Sequence, residues 1–229
     1  GTLMAGAGVI TVPQPVMVRG TLTLGGPLAA NNVNLSGPVD FDQSRSISVP
    51  NPLSTATLSG TVSMVAGGTL TKIGAGVLSL TGSVNSLPNV LVSGGILAIG
   101  NSLALGTGTL RLAGGALDSY VATGSLTGNN PIVVSGSFGF IGTQALNLGT
   151  GGVTLSGGSQ TITVVSSTLT APSAIGDGGS GFGLTKAGWG ILSLTAANTY
   201  TGPTTVLGGT LSLGIANALS SSSNVTLTN

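Results

Sequence analysis

"LTKAGWGILSLTAANTYTG", Leu184 to Gly202, holds the chain's only Trp and one of its two Tyr. An earlier stretch, "LTKIGAGVLSLTG" (Leu70 to Gly82), says nearly the same thing 114 positions upstream, with a Lys at the matching place. Inside both, apolar and polar residues alternate. Leu78 and Leu80 flank Ser79, and Leu192 and Leu194 flank Ser193. A period of two is the mark of a strand with one buried face. The pattern recurs in "GTLTLGG" (Gly20 to Gly26) and "GTLSLG" (Gly209 to Gly214). Such runs return about every ten residues with Gly, Asn or Pro between them, and few segments show a helical period. The chain reads as all-β.

The echo extends outward. "SGGILAIGNSLAL" (Ser93 to Leu105) matches "LGGTLSLGIANAL" (Leu207 to Leu219), "SRSISV" (Ser44 to Val49) matches "SQTITV" (Ser159 to Val164), and "VNL" at Val33 matches "LNL" at Leu146. The units run over 33–145 and 146–229, the second cut short, with 1–32 as the end of a preceding unit. No linker divides them, so 1–229 reads as one continuous domain. A solenoid accounts for this better than two sandwiches. Coils of about 20 residues stack at roughly 4.8 Å, and five of them fill one repeat unit. The expectation is a right-handed parallel β-helix (β-solenoid) of about ten coils. Leu78, Leu80, Leu97, Ile99, Leu192, Leu194, Leu211 and Leu213 should point inward, with Ser, Thr and Asn outward or laddered at corners. The pairs Gly94-Gly95 and Gly208-Gly209 should open strands with positive φ. Limited proteolysis should then find no boundary near Leu146.

Composition narrows the function. Of 229 residues only 4% are charged, against roughly 25% in an average domain. A net charge of +1 gives no field for nucleic acid or an anionic membrane, and seven aromatics without a basic cluster make no base-stacking platform. Mean hydropathy is +0.57, yet no apolar run approaches the roughly 20 residues of a spanning helix. A membrane barrel would need aromatic girdles that seven aromatics cannot supply. No charged and apolar leader opens the chain, so any signal peptide is expected to have been removed already. The chain has no Cys, which excludes disulfides and thiol chemistry. The 41% apolar content is too high for a disordered tract, which makes the 41 Gly turn residues.

The stretch "LTKAGWGILSLTAANTYTGPTTVLGGTLSLG" (Leu184 to Gly214) resembles the passenger-associated transport repeat of autotransporters. The motif is carried by Leu184, Thr185, Lys186, Gly188, Gly190, Asn198, Thr199, Tyr200, Thr201, Gly202, Thr204, Thr205 and Val206. The first copy keeps Leu70, Thr71, Lys72, Gly74 and Gly76 but reads "SVNSLPNV" (Ser83 to Val90) where the turn should be, so its corner is expected to differ. Strict matches cover about 30 residues. The resemblance implies a β-helix exported across a Gram-negative outer membrane and serving as a surface adhesin or stalk, whose coil-by-coil folding helps draw the chain out. The family's membrane barrel has no counterpart in this stretch.

Few residues can carry chemistry. "VDFDQSR" (Val39 to Arg45) gathers Asp40, Asp42 and Arg45, which would suit a Ca²⁺ site or a polysaccharide-lyase cleft. Ca²⁺ wants six to eight oxygens, so a solvated strand edge whose charges deter sheet addition is favoured. Lys72 and Lys186 are expected to face outward from their strands. Trp189, where the first copy has Ala75, falls outside with Ile191. With Tyr200 they form a candidate contact or sugar-stacking surface, set against a Trp folded over its own corner. Asn34 and Asn224 open glycosylation sequons that a bacterial surface protein rarely uses. "GDGGSGFG" (Gly176 to Gly183) reads as a turn, its Lys coming too late for a phosphate loop. There is no His or Cys, and no Gly-x-Ser-x-Gly elbow. No catalytic, metal or cofactor site is expected, and an enzyme least of all.

The favoured reading is a non-catalytic extracellular rod, structural or adhesive, at the bacterial surface. A self-assembling fibre or sheath subunit stands close behind it, since a surface so poor in charge should self-associate. A β-helix carbohydrate enzyme is a minor alternative. The expected partner is the chain itself, end to end or laterally, or a cell-surface or matrix component, with neither nucleic acid nor a membrane-spanning segment. "GTLMAGA" (Gly1 to Ala7) and "NVTLTN" (Asn224 to Asn229) fall at nearly the same phase of the repeat and show no cap, so the rod is expected to continue at one or both ends.

Overall fold

Alternating Leu and Val, interrupted by Gly-rich corners, wind the chain into stacked coils. The computed structural model describes residues 1–6, 8–26, 31–121 and 124–228. The end segments noted above reach Ala7 and Asn229, which lie outside the described residues. Every strand pairing in them is parallel. One face stacks nine strands, from Thr2–Leu3 to Ile175–Gly176, and a second stacks eleven, from Val9–Val12 to Val225–Leu227. The third side is discontinuous. It has three strands from Val16–Val18 to Val62–Met64 and four from Leu146–Asn147 to Thr210–Leu213. The result is a three-sided parallel β-solenoid of about ten turns, as the alternation and the repeat predict, and it contains no helix among the described residues.

Like stacks on like inside. Leu70, Val90, Leu110, Ile132, Val153 and Ile175 follow one another along the nine-stranded face. Leu78, Leu97 and Leu117 do so on the eleven-stranded face. All are buried, each worth about 1.5–3 kcal/mol. Outside, Thr161, Thr185, Thr205 and Thr226 make a row of hydroxyls. Of the eight residues expected inside, six are buried and Leu211 packs partly against the core. Leu213 is the correction. It is 50% exposed, because among the described residues its strand is the last of the four-stranded sheet and no strand pairs over it.

The repeat does not span a whole number of coils. Five coil steps carry Leu70 to Ile175 on the same face. The copy of Leu70 is Leu184, which lies one strand further on, in the eleven-stranded face. Five coils are therefore shorter than the unit read from the sequence, and the two copies occupy neighbouring sides of the rod.

Candidate functional site

Each copy is a closed turn of solenoid. Leu70–Ile73 and Val77–Leu80 are covered by Asn89–Val92 and Ile96–Ile99. In the second copy Leu184–Ala187 and Ile191–Leu194 are covered by Thr204–Val206 and Thr210–Leu213. The lysine bonds described next join the motif's own two layers, so that part of it can be placed on either side of the rod.

The lysines are inside, not outside. Lys72 and Lys186 are both fully buried. Lys72 stands two residues after inward Leu70, so the alternation that buries one buries the other. Its ammonium donates to Ile73 O at 2.8 Å, Gly74 O at 2.8 Å and Gly94 O at 3.1 Å. Lys186 donates to Ala187 O, Gly188 O and Gly208 O at 2.8, 2.8 and 3.0 Å. Two of the acceptors lie in the corner just past the Lys and the third in the corner above. Gly95 and Gly209 both have φ of +64°, and a Cβ on either would meet corner carbonyl oxygen at 2.2 and 2.4 Å. Those corners admit only Gly. Gly94 and Gly208, the first of each pair, do not need positive φ.

Burial pulls the Lys72 ammonium down to about 8 and moves Lys186 the same way. An amine that gives up its proton still donates two hydrogens to the corner. The folded value lies below the 10.5 of the free side chain, so between them the unfolded chain holds more protons and stability rises with pH. The denaturation midpoint is expected to climb from about pH 8 toward about pH 10. Above that, Tyr200 reverses the trend. Its burial raises the phenol above 10.0, more than its bonds to Thr204 and Ser223 lower it, and the unfolded chain ionises first. A urea midpoint that is flat or falling from pH 8 to 10 would overturn this.

The turn is as well preserved as the lysine. Asn198 Oδ1 accepts from Ile175 N at 2.7 Å, one coil below, and Nδ2 donates to Ala218 O at 2.6 Å, one coil above. Asn85 does the same in the first copy, accepting from Val62 N at 2.9 Å and donating to Ala104 O at 2.7 Å. The degenerate "SVNSLPNV" therefore keeps the residue that ties three coils together. Tyr200, expected at the surface, is fully buried. Its Oη shares a 2.6 Å hydrogen bond with Thr204 Oγ1, which shares one of 2.7 Å with Ser223 Oγ. Leu87 is buried at the corresponding place and needs no such partner.

Trp189 is 89% exposed and Ile191 37%. Asp42 and Arg45 form an exposed ion pair at 2.8 Å, and Asp40 accepts from the Ser63 hydroxyl one coil on. No group of three or more metal-ligating side chains occurs among the described residues.

Sequence reasoning missed the buried aspartates. Asp177 accepts from Gly179 N and Phe182 N, both at 3.0 Å, and from Thr201 N and Oγ1 at 3.1 and 2.8 Å. Burial alone would push its carboxyl up, but bonds from the Thr201 hydroxyl and the three N–H groups outweigh that and hold it well below the usual range. The glycine-rich stretch at 176–183 is thus a turn built on Asp177. Asp118 likewise accepts from Ser119 N and from Thr143 N and Oγ1. A Thr in the following coil was the only available signal for either.

Comparison with known proteins accords with this geometry. The family model of the passenger-associated-transport-repeat matches residues 70–99 and 184–213, the two closed turns just described. The chain carries two such repeats of autotransporter passengers. Over 124 residues it is 34% identical to a protein named "Adhesin BmaC autotransporter" from Brucella suis biovar 1 (strain 1330), a stretch that is 51% of this chain and 4% of that protein. The chain therefore spans a small fraction of the relative's length. No solved structure matches.

Proposed function

We propose that this chain, with its two passenger-associated transport repeats, is a length of non-catalytic extracellular rod exported to the bacterial surface, where it holds or presents adhesive surface. The observation that carries this reading is where the polar chemistry goes. Lys72, Lys186, Asp118 and Asp177 are all buried and bonded to backbone or hydroxyl groups between or within coils. Titratable groups spent on joining layers are not available as acid, base or nucleophile. The relative's printed name, an adhesin, supports the adhesive role.

The test is display. Carried as part of a full autotransporter on a Gram-negative cell, the segment should be reached by antibody and external protease. Deleting whole coils from it should reduce attachment to host cells or matrix without abolishing export of the rest. A segment that stays inside the cell, or one that cleaves polysaccharide, would sink the proposal. A second reading, a self-assembling fibre or sheath subunit, is favoured by the surface itself. With Asp42 paired to Arg45, little free charge remains to keep copies apart.

A further inference from the structure

After Arg45 the sequence holds five charged side chains, and only one of them is at the surface. Lys72, Asp118, Asp177 and Lys186 are buried, whereas Arg111 is exposed. Arg111 stands on the nine-stranded face, in an outward row between Leu91 one coil below and Val133 one coil above. Its Nε donates to Ser135 Oγ at 3.1 Å, and that hydroxyl donates on to Leu112 O at 3.3 Å. The guanidinium is thereby anchored at its stem, while Nη1 and Nη2 have no partner among the described residues. A second outward row, Thr69, Asn89 and Thr109, runs beside it. Asn89 Nδ2 donates to Gly68 O at 3.2 Å, which fixes the amide. Its Oδ1 and the hydroxyls of Thr69 and Thr109 are without partners among the described residues. The two rows line a groove of about 350 Å³. Just before them in the chain, Pro88 and Gly108 border a second hollow of about 460 Å³, walled by Met64, Leu87 and Thr107. It lies where the third side, among the described residues, has no strand between Val62–Met64 and Leu146–Asn147.

We propose that this groove binds an acidic saccharide, its carboxylate on Arg111 and its hydroxyls along Thr69, Asn89 and Thr109. The charge selects an anion, because no acidic side chain is exposed after Arg45 to compete for the guanidinium. The free end selects its shape. Two parallel N–H groups of an anchored, planar fork suit a carboxylate taken bidentately. The row beside it supplies hydroxyl and amide groups at each coil, and Leu91 and Val133 give an apolar floor for the C–H face of a sugar ring. An apolar lining with a few placed polar groups is the usual make-up of a small-molecule site, and both hollows fall in the usual size range. An acidic peptide fits less well. An extended peptide is held by main-chain hydrogen bonds at a sheet edge, and the coils that carry these rows are paired both above and below. The same pairing means that the groove does not arise from an end of the chain.

This inference rests on the surface-rod reading, since such a glycan would be met outside the cell, but it is tested apart from it. The purified chain, labelled with ¹⁵N, is titrated with trigalacturonate and, separately, with sialyllactose. At least one should give saturable shifts at the amides of Asn89, Thr109 and Arg111 and at Arg111 Nε–H. The row of Thr161, Thr185 and Thr205, which offers hydroxyls without a cation, should not move. The methyl ester of the bound sugar should bind about tenfold more weakly, and Arg111→Gln should lose about as much, because each removes a charged hydrogen-bonded pair. Arg111→Gln should leave circular dichroism and melting temperature unchanged, the side chain being exposed. Thr109→Val should weaken binding by about threefold. No saturable shift with either sugar, an ester that binds as well as the acid, or an Arg111→Gln chain that binds as well as the wild type would each overturn the proposal. So would equal binding of an aspartate tripeptide, which would show that the groove reads charge alone. None of these results bears on export and display, and a failure of display would leave the titration standing.

Discussion

Lys72→Met should lower the stability of the coils around its corner by about 3 kcal/mol, although Met is the more hydrophobic residue. The reason is what the ammonium leaves behind. Gly74 O and Gly94 O accept no other hydrogen bond among the described residues, and each unsatisfied buried carbonyl costs about 1–3 kcal/mol. The relief of desolvating a cation works in the other direction but does not supply donors. Lys72→Arg should fare no better. Three carbonyls around one nitrogen match the three hydrogens of an ammonium, whereas a planar guanidinium fork cannot point three donors from one atom. Stability in a solenoid is spread over neighbouring coils, so the measurement should be local. Amide exchange should quicken in Asn89–Val92 and Ile96–Ile99 and stay unchanged in Gln160–Val164, several coils away. Lys186→Met should reproduce the effect around Gly208, and the two lesions should add, being far apart with no shared partner. Wild-type exchange rates in Lys72→Met would show that the corner holds without its lysine.

The lysine also marks where sequence reasoning stopped. Alternation placed Leu78, Leu80, Leu97, Ile99, Leu192 and Leu194 correctly because it is a local property of each strand. Applied one strand earlier, the same rule puts Lys72 beside Leu70, inside. Charge suggested the surface, and charge misled, because the acceptors that make burial tolerable are backbone carbonyls and no residue letter announces them. Tyr200 was misplaced for a related reason. Its partners Thr204 and Ser223 lie in the rest of its own coil and at the next coil's edge. The phase of the repeat was hidden differently. A 114-residue spacing is visible in the sequence, but coil lengths vary, and only the strand register shows that the copies sit on different sides. What was legible is the fold, written in every strand. What was not is anything that depends on which strand lies above which.

Leu194→Asp should prevent folding of the coils around it, while Ser193→Asp, its neighbour in the same strand, should fold as the wild type does. Leu194 is fully buried, stacked in register between Ala171 below and Leu213 above. A carboxylate there has no donor facing it. It would give up the 1.5–3 kcal/mol of a buried Leu and carry the much larger cost of an unpaired charge in an apolar stack, or else remain protonated and still lack a partner. Ser193 points the other way, between Thr170 and Ser212 in an outward row, and is partly exposed to water. An Asp in that row is one charge on a polar face and should cost no more than about 0.5 kcal/mol. Circular dichroism and protease resistance of the two purified variants decide the matter. The contrast is sharp because a shift of one residue in the register would exchange the two positions. If both variants fold, or neither does, the assignment of inside and outside along this face is wrong, and with it the ladder that carries Trp189 to the surface and Lys186 into the core.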